Sequence, residues 1–226
     1  MTRDEVLNRI EEIGIVTAIR VDSKEDALFA AEAVYKGGIP VVEIAMTLEG
    51  APEVISHLVD KNPELVVGAG SVLNAKMART CLDAGAQFLT SDGLHLARVD
   101  LSARAGAVVF PGALTPSEVV TAWEAGCDFV KVVPCAQIGG ESYIRSIHAM
   151  YPDIPLIAAG GVNQQTASKY IFAGALALGI GREVIPAEAI RLRQVHRIHE
   201  LARRFVGFVK SARAGKLPER EGRYIG

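Results

Sequence analysis

The stretch Asp128-Phe129-Val130-Lys131-Val132-Val133-Pro134 is a short apolar run with one lysine at its centre and a proline at its end. A run of this length, rich in Val and Phe, reads as a buried parallel strand. Side chains alternate along a strand, so Phe129, Lys131 and Val133 share one face, and Val130 and Val132 the other. Lysine is rarely fully buried unless it is paired or put to use. An apolar setting penalises the charged form of an amine, and a neutral amine is the reagent that attacks a ketone. The competing reading is a lysine near a strand end that snorkels to solvent. This window alone leaves both open.

On either side of this strand the chain repeats one unit. Strands expected at residues 15–20, 41–46, 65–70, 88–90, 108–110, 155–159 and 175–178 join the lysine strand in strict alternation with helices. Ser23, Asn74, Thr115 and Asn163 read as helix caps. Thr115-Pro116-Ser117-Glu118 adds a proline at the first helical position and a glutamate at the third. Helices stop at pairs such as Ala84-Gly85, Ala105-Gly106 and Ala125-Gly126, where glycine suits the position after a helix. Gly68-Ala69-Gly70 reads as a strand running into a glycine-rich turn. An amphipathic helix over 3–13 precedes the first strand, and one long helix over 187–212 follows the last.

Eight strands alternating with helices in 226 residues predict a single-domain (β/α)8 barrel over residues 1–214. An open doubly wound sheet is the runner-up, weakened because neither Gly68-Ala69-Gly70 nor Gly179-Ile180-Gly181 completes GxGxxG. Residues 215–226 are polar and aperiodic and read as a C-terminal tail.

Composition narrows the function classes. Half of the residues are hydrophobic, enough for a large core, and a net charge of −2 gives no bias toward nucleic acid or anionic membranes. Cys81, Cys127 and Cys135 form no CxxC pair and suggest a reducing compartment. With no signal-peptide pattern at the N-terminus and no run of membrane-spanning length, a cytoplasmic protein is expected. The five histidines show no metal-ligand spacing, so neither a metal nor a cofactor is expected. The arginines around Arg191–Arg204 read as a solvated helix face, too poor in aromatic residues for nucleic acid.

In a parallel barrel the active site sits where the strands end at their C-terminal mouths. Glu43, in Val41-Val42-Glu43-Ile44-Ala45, interrupts an apolar run as Lys131 does, and an isolated buried charge of either sign is costly. Two such groups on different strands of one barrel can meet inside it, as a structural ion pair or as an amine nucleophile with its acid/base. Arg20, at the end of the first strand, offers a fork for a carboxylate or phosphate, or else a rim salt bridge. Thr47 and Ser71 follow the second and third strands as candidate hydroxyl contacts or plain turn residues. Gly160-Gly161 and Gly181-Arg182 close the seventh and eighth strands, where barrels often bind phosphate through backbone N–H groups.

Taken together, Glu43, Gly68-Ala69-Gly70-Ser71-Val72, Phe129-Val130-Lys131-Val132-Val133-Pro134 and Gly160-Gly161-Val162 resemble the 2-keto-3-deoxy-6-phosphogluconate / 4-hydroxy-2-oxoglutarate aldolases, from about Ile10 to Val209. The resemblance implies a class I aldolase on a (β/α)8 barrel, a homotrimer needing no metal, with a 2-oxo acid substrate and pyruvate as product. It implies Lys131 as the Schiff-base residue, Glu43 as the acid/base, and substrate contacts from Arg20 and Pro134. Thr47 stands where members acting on phosphogluconate carry arginine, Ser71 where they carry threonine, and Ala159 where threonine precedes the double glycine. Ser91-Asp92-Gly93 replaces Ser-Pro-Gly, and Arg182 replaces a serine near the phosphate. Branches acting on 4-hydroxy-2-oxoglutarate or the phosphogalactonate analogue stay open. So do a sugar-phosphate isomerase or epimerase using Glu43 without a covalent step, and a barrel that only binds an acidic metabolite.

Overall fold

Nine runs satisfy their backbone by pairing in parallel: β1 Ile15–Ile19, β2 Val41–Ala45, β3 Val66–Gly70, β4 Phe88–Thr90, β5 Val108–Phe110, β6 Gly112–Ala113, β7 Val130–Val132, β8 Leu156–Ala159 and β9 Ala175–Ile180. The computed structural model describes residues 1–215, so of the expected tail only Gly215 lies within the described residues. The sheet order is β5-β4-β3-β2-β1-β9-β8-β7-β6. β5 and β6 flank Pro111, and together they form one bent stave: β5 pairs with β4 and β6 with β7. The Pro111 carbonyl still accepts from the Lys131 N–H at 2.9 Å, so the ladder runs past the proline. Counted in staves, this is the expected eight-stranded barrel.

The period of two along each strand stacks the interior in layers. A lower layer includes Val16, Val41, Phe88, Phe110 and Phe129, with Phe88 and Phe110 stacked at 5.1 Å and Phe129 edge-on to Phe110 at 5.9 Å. Helix Arg3–Ile13 closes this end by inserting Val6 and Ile10 into the same cluster. Arg3 pairs with Asp128, and Arg213 donates to the carbonyls of Glu11, Glu12 and Leu176, fastening the plug at both ends. Two residues further along their strands, Glu43, Thr90 and Lys131 stand directly above this apolar floor.

Three local expectations need correction. Gly68-Ala69-Gly70 is fully buried strand rather than a turn. Its glycines make room, since a Cβ on Gly68 would lie 2.3 Å from the Phe88 ring. Asn163 does not cap a helix: its Oδ1 accepts from the N–H groups of Gln165 and Thr166, and the helix begins later, at Ala167–Phe172. The last helix is broken into Ala187–Arg191 and Val195–Arg213. At the break Arg193 takes a left-handed φ of 51°, pairs with Glu25 and Asp26, and lies over the Phe29 ring at 4.8 Å. Those distant partners override the local helical periodicity. Among the described residues, no helix is long and apolar enough to cross a membrane.

Candidate active site

A cavity of about 560 Å³ opens at the C-terminal mouth of the barrel. Arg20, Glu43, Lys131, Pro134, Gly160, Gly161, Gly181 and Arg182 are among the residues that line it. Thr47 and Ser71 do not line it. The chain leaves β2 at Ala45 into a turn that carries Thr47 to the exposed surface, and Ser71, at a left-handed φ of 55°, is half-buried.

Lys131 is 4% exposed and Glu43 3%, so both candidate charges are interior. They do not pair directly. Thr90 stands between them: its Oγ1 accepts from Lys131 Nζ at 3.1 Å and donates to Glu43 Oε2 at 2.9 Å. A hydroxyl can do both at once, which a carboxylate or an amide N–H cannot. Glu43 Oε1 is buried with no hydrogen-bond partner among the described residues. Its place is kept by Gly70, whose missing side chain would otherwise sit on the carboxylate.

The second partner of Lys131 is Asp92, whose Oδ1 lies 2.9 Å from Nζ. Oδ2 of the same carboxylate lies 3.4 Å from Arg20 Nη2. Burial pushes the Asp92 carboxyl up. The charge and hydrogen bond of Lys131, with the charge of Arg20, outweigh it and hold the carboxyl below its ordinary range. Thr90 and Asp92 were not among the expected site residues. The signal was present: Phe88, Thr90 and Asp92 continue the inward face of β4, just as Glu43 follows Val41.

Gly160 and Gly161 adopt φ of 81° and 87°, the left-handed region that glycine enters without penalty. A Cβ on Gly161 would lie 2.3 Å from that of Ala136, so the backbone comes to the cavity edge where a side chain has no room. The carbonyls of Ala159 and Gly160 are held by the N–H groups of Cys135 and Ala136. Arg182 is exposed at the rim and has no ion-pair partner among the described residues. The three thiols are unpaired and buried, and burial pushes Cys81 and Cys127 up to about 12. Thiol nucleophilic chemistry is therefore not what this architecture prepares.

A family model described as KDPG and KHG aldolase matches residues 6–201. The KHG/KDPG aldolase of Escherichia coli (strain K12) is 30% identical over 193 residues, covering 85% of this chain and 90% of that protein. Among solved structures, one described as native KDPGal has a TM-score of 0.82 at 27% identity, covering 88% of this chain and 96% of its own. A KDPG aldolase from Legionella pneumophila, with pyruvate captured at low pH as a covalent carbinolamine intermediate, has a TM-score of 0.81 at 26% identity over the same shares.

Proposed function

The chain belongs to the KDPG and KHG aldolase family, and from that premise we propose how its cavity divides the reaction. The protein is a class I aldolase, a carbon–carbon lyase that cleaves a 2-keto-3-deoxy acid to pyruvate and an aldehyde. In our reading Lys131 is the nucleophile and Glu43 the acid/base. Lys131 passes its ammonium proton through Thr90 to Glu43, and its free amine adds to the C2 carbonyl. That proton leaves with the carbinolamine oxygen as water, giving a protonated imine and restoring the Glu43 carboxylate. Glu43 takes the proton of the C4 hydroxyl as the C3–C4 electrons move into the imine, releasing the aldehyde and leaving an enamine. The protonated Glu43 returns that proton to C3, and hydrolysis frees pyruvate and the amine.

The observation that carries this reading is the buried chain Lys131 Nζ, Thr90 Oγ1, Glu43 Oε2, whose two ends line the cavity. It gives amine and carboxylate a hydroxyl through which a proton can pass while neither neutralises the other in a direct ion pair. Arg182, beside Gly181 at the rim, supports a phosphorylated sugar acid as substrate, the 2-dehydro-3-deoxy-phosphogluconate type over the shorter 4-hydroxy-2-oxoglutarate. Binding by Gly160 and Gly161 belongs to the same proposal. So do a homotrimer, tested by sedimentation, and a cytoplasmic location, which the three unpaired thiols support.

The decisive experiment is trapping. Pyruvate with borohydride is expected to add one reduced pyruvate per chain, on Lys131, and the label is expected to vanish in Lys131→Ala. An unmodified mass, or a label on another lysine that survives the substitution, overturns the assignment.

A further inference from the structure

In a 2-oxo acid the carboxylate is bonded to the carbon that Lys131 attacks, so its cation must stand close to that lysine. Thr47 and Ser71, at the ends of β2 and β3, lie outside the cavity. Arg20 does line it, two residues beyond the cavity-lining Ala18 of β1. It is half exposed, and a long guanidinium side chain in solvent has no fixed position of its own. Its ion-pair partner among the described residues is Asp92, at 3.4 Å. One oxygen of this carboxylate meets Lys131 and the other meets Arg20.

We infer that Asp92 is a positioning residue that ties the Arg20 guanidinium to the nucleophile, and that Arg20 so held clamps the carboxylate of the 2-oxo acid. The inference rests on the Schiff-base reading of Lys131. Its chemistry is specific. A guanidinium has five donors in a planar fork and Asp92 engages it at a single nitrogen, so donors remain for a substrate carboxylate. Nor is Asp92 displaced by the reaction. The lysine nitrogen is a cation as ammonium and again as protonated imine, so the same carboxylate serves as counter-ion to both. The left-handed turn at Gly160-Gly161 supplies backbone but no cation, and among the described residues Arg182 has no partner linking it to Lys131.

The test compares two small ketones that differ only in the group being clamped, pyruvate and its methyl ester, by rates of borohydride trapping. The ratio of pyruvate to ester is expected to fall about tenfold to a hundredfold in Arg20→Ala, the range for one charge-assisted hydrogen bond. Asp92→Asn is expected to lower it similarly, and Arg20→Ala/Asp92→Asn no further, because both changes remove one coupled device. Arg20→Lys, which keeps the charge but not the fork, should recover part of the ratio. A wild-type ratio in Asp92→Asn, or single losses that multiply in the double variant, would overturn the inference while leaving the Schiff base intact. If Asp92→Asn and Asp92→Ala keep the wild-type melting temperature yet trap neither ketone, Asp92 acts on the chemistry itself and the positioning role fails. Absence of any adduct in the wild type would instead sink the Schiff-base reading.

Discussion

Replacing Gly70 with alanine adds a single methyl group at the point where the scaffold and the chemistry compete for space. The new Cβ would lie 1.8 Å from Glu43 Oε1, 2.3 Å from its Cδ and 2.5 Å from its Cγ. Glu43 must therefore rotate away, which breaks its 2.9 Å bond from Thr90. The backbone is no obstacle, since Gly70 lies in β3 and is not left-handed. Overpacking of a core costs about 1–3 kcal/mol, and a Gly-to-Ala change at a compatible position returns about 0.4–1 kcal/mol through the unfolded chain. The net loss is roughly 0–2.5 kcal/mol, which for a chain of this size lowers the melting temperature by less than ~10 °C. Activity should suffer far more. A misplaced acid/base forfeits roughly 10²–10⁴-fold in proton transfer. The assay is aldol cleavage followed by pyruvate release, beside borohydride trapping of pyruvate on the same variant. We expect cleavage to collapse while a slower adduct still forms in a folded protein. A variant with wild-type kcat/KM would refute the argument, because Glu43 would then be active from a position that the methyl group excludes.

Two further outcomes follow from the same geometry. Thr90→Val keeps the volume but removes the hydroxyl between Lys131 and Glu43. Leaving buried polar groups unpaired costs about 1–3 kcal/mol, so hydrogen exchange into pyruvate should slow by roughly 5- to 150-fold, and an unchanged exchange rate would show that the proton travels by another route. Arg182→Ser should reduce kcat/KM for a phosphorylated 2-keto-3-deoxy acid about tenfold to a hundredfold and leave 4-hydroxy-2-oxoglutarate less affected; equal losses on both substrates would show that this rim does not read phosphate.

Periodicity alone was enough for eight strand-forming units in (β/α) alternation, and it marked Lys131 and Glu43 as polar residues interrupting apolar strands. Each is a local matter: a polar residue interrupting an apolar strand shows the face it occupies, and caps such as Thr115 with Glu118 act within one turn. The tertiary structure decided what those two charges meet. β4 is only three paired residues long, and its continuation through Ser91 to Asp92 carries no apolar run, so the period of two counted on from Phe88 is the one local sign of their face. Thr90 and Asp92 become site residues only when the curled sheet turns the inward faces of β2, β4 and β7 toward one axis. Contacts across 39, 47 and 72 residues of chain then form the network. The departure of Thr47 from the cavity and the break at Arg193 have the same origin. Where a side chain ends up after its strand or within its helix is set by partners far away in the chain, and local pattern holds no information about them.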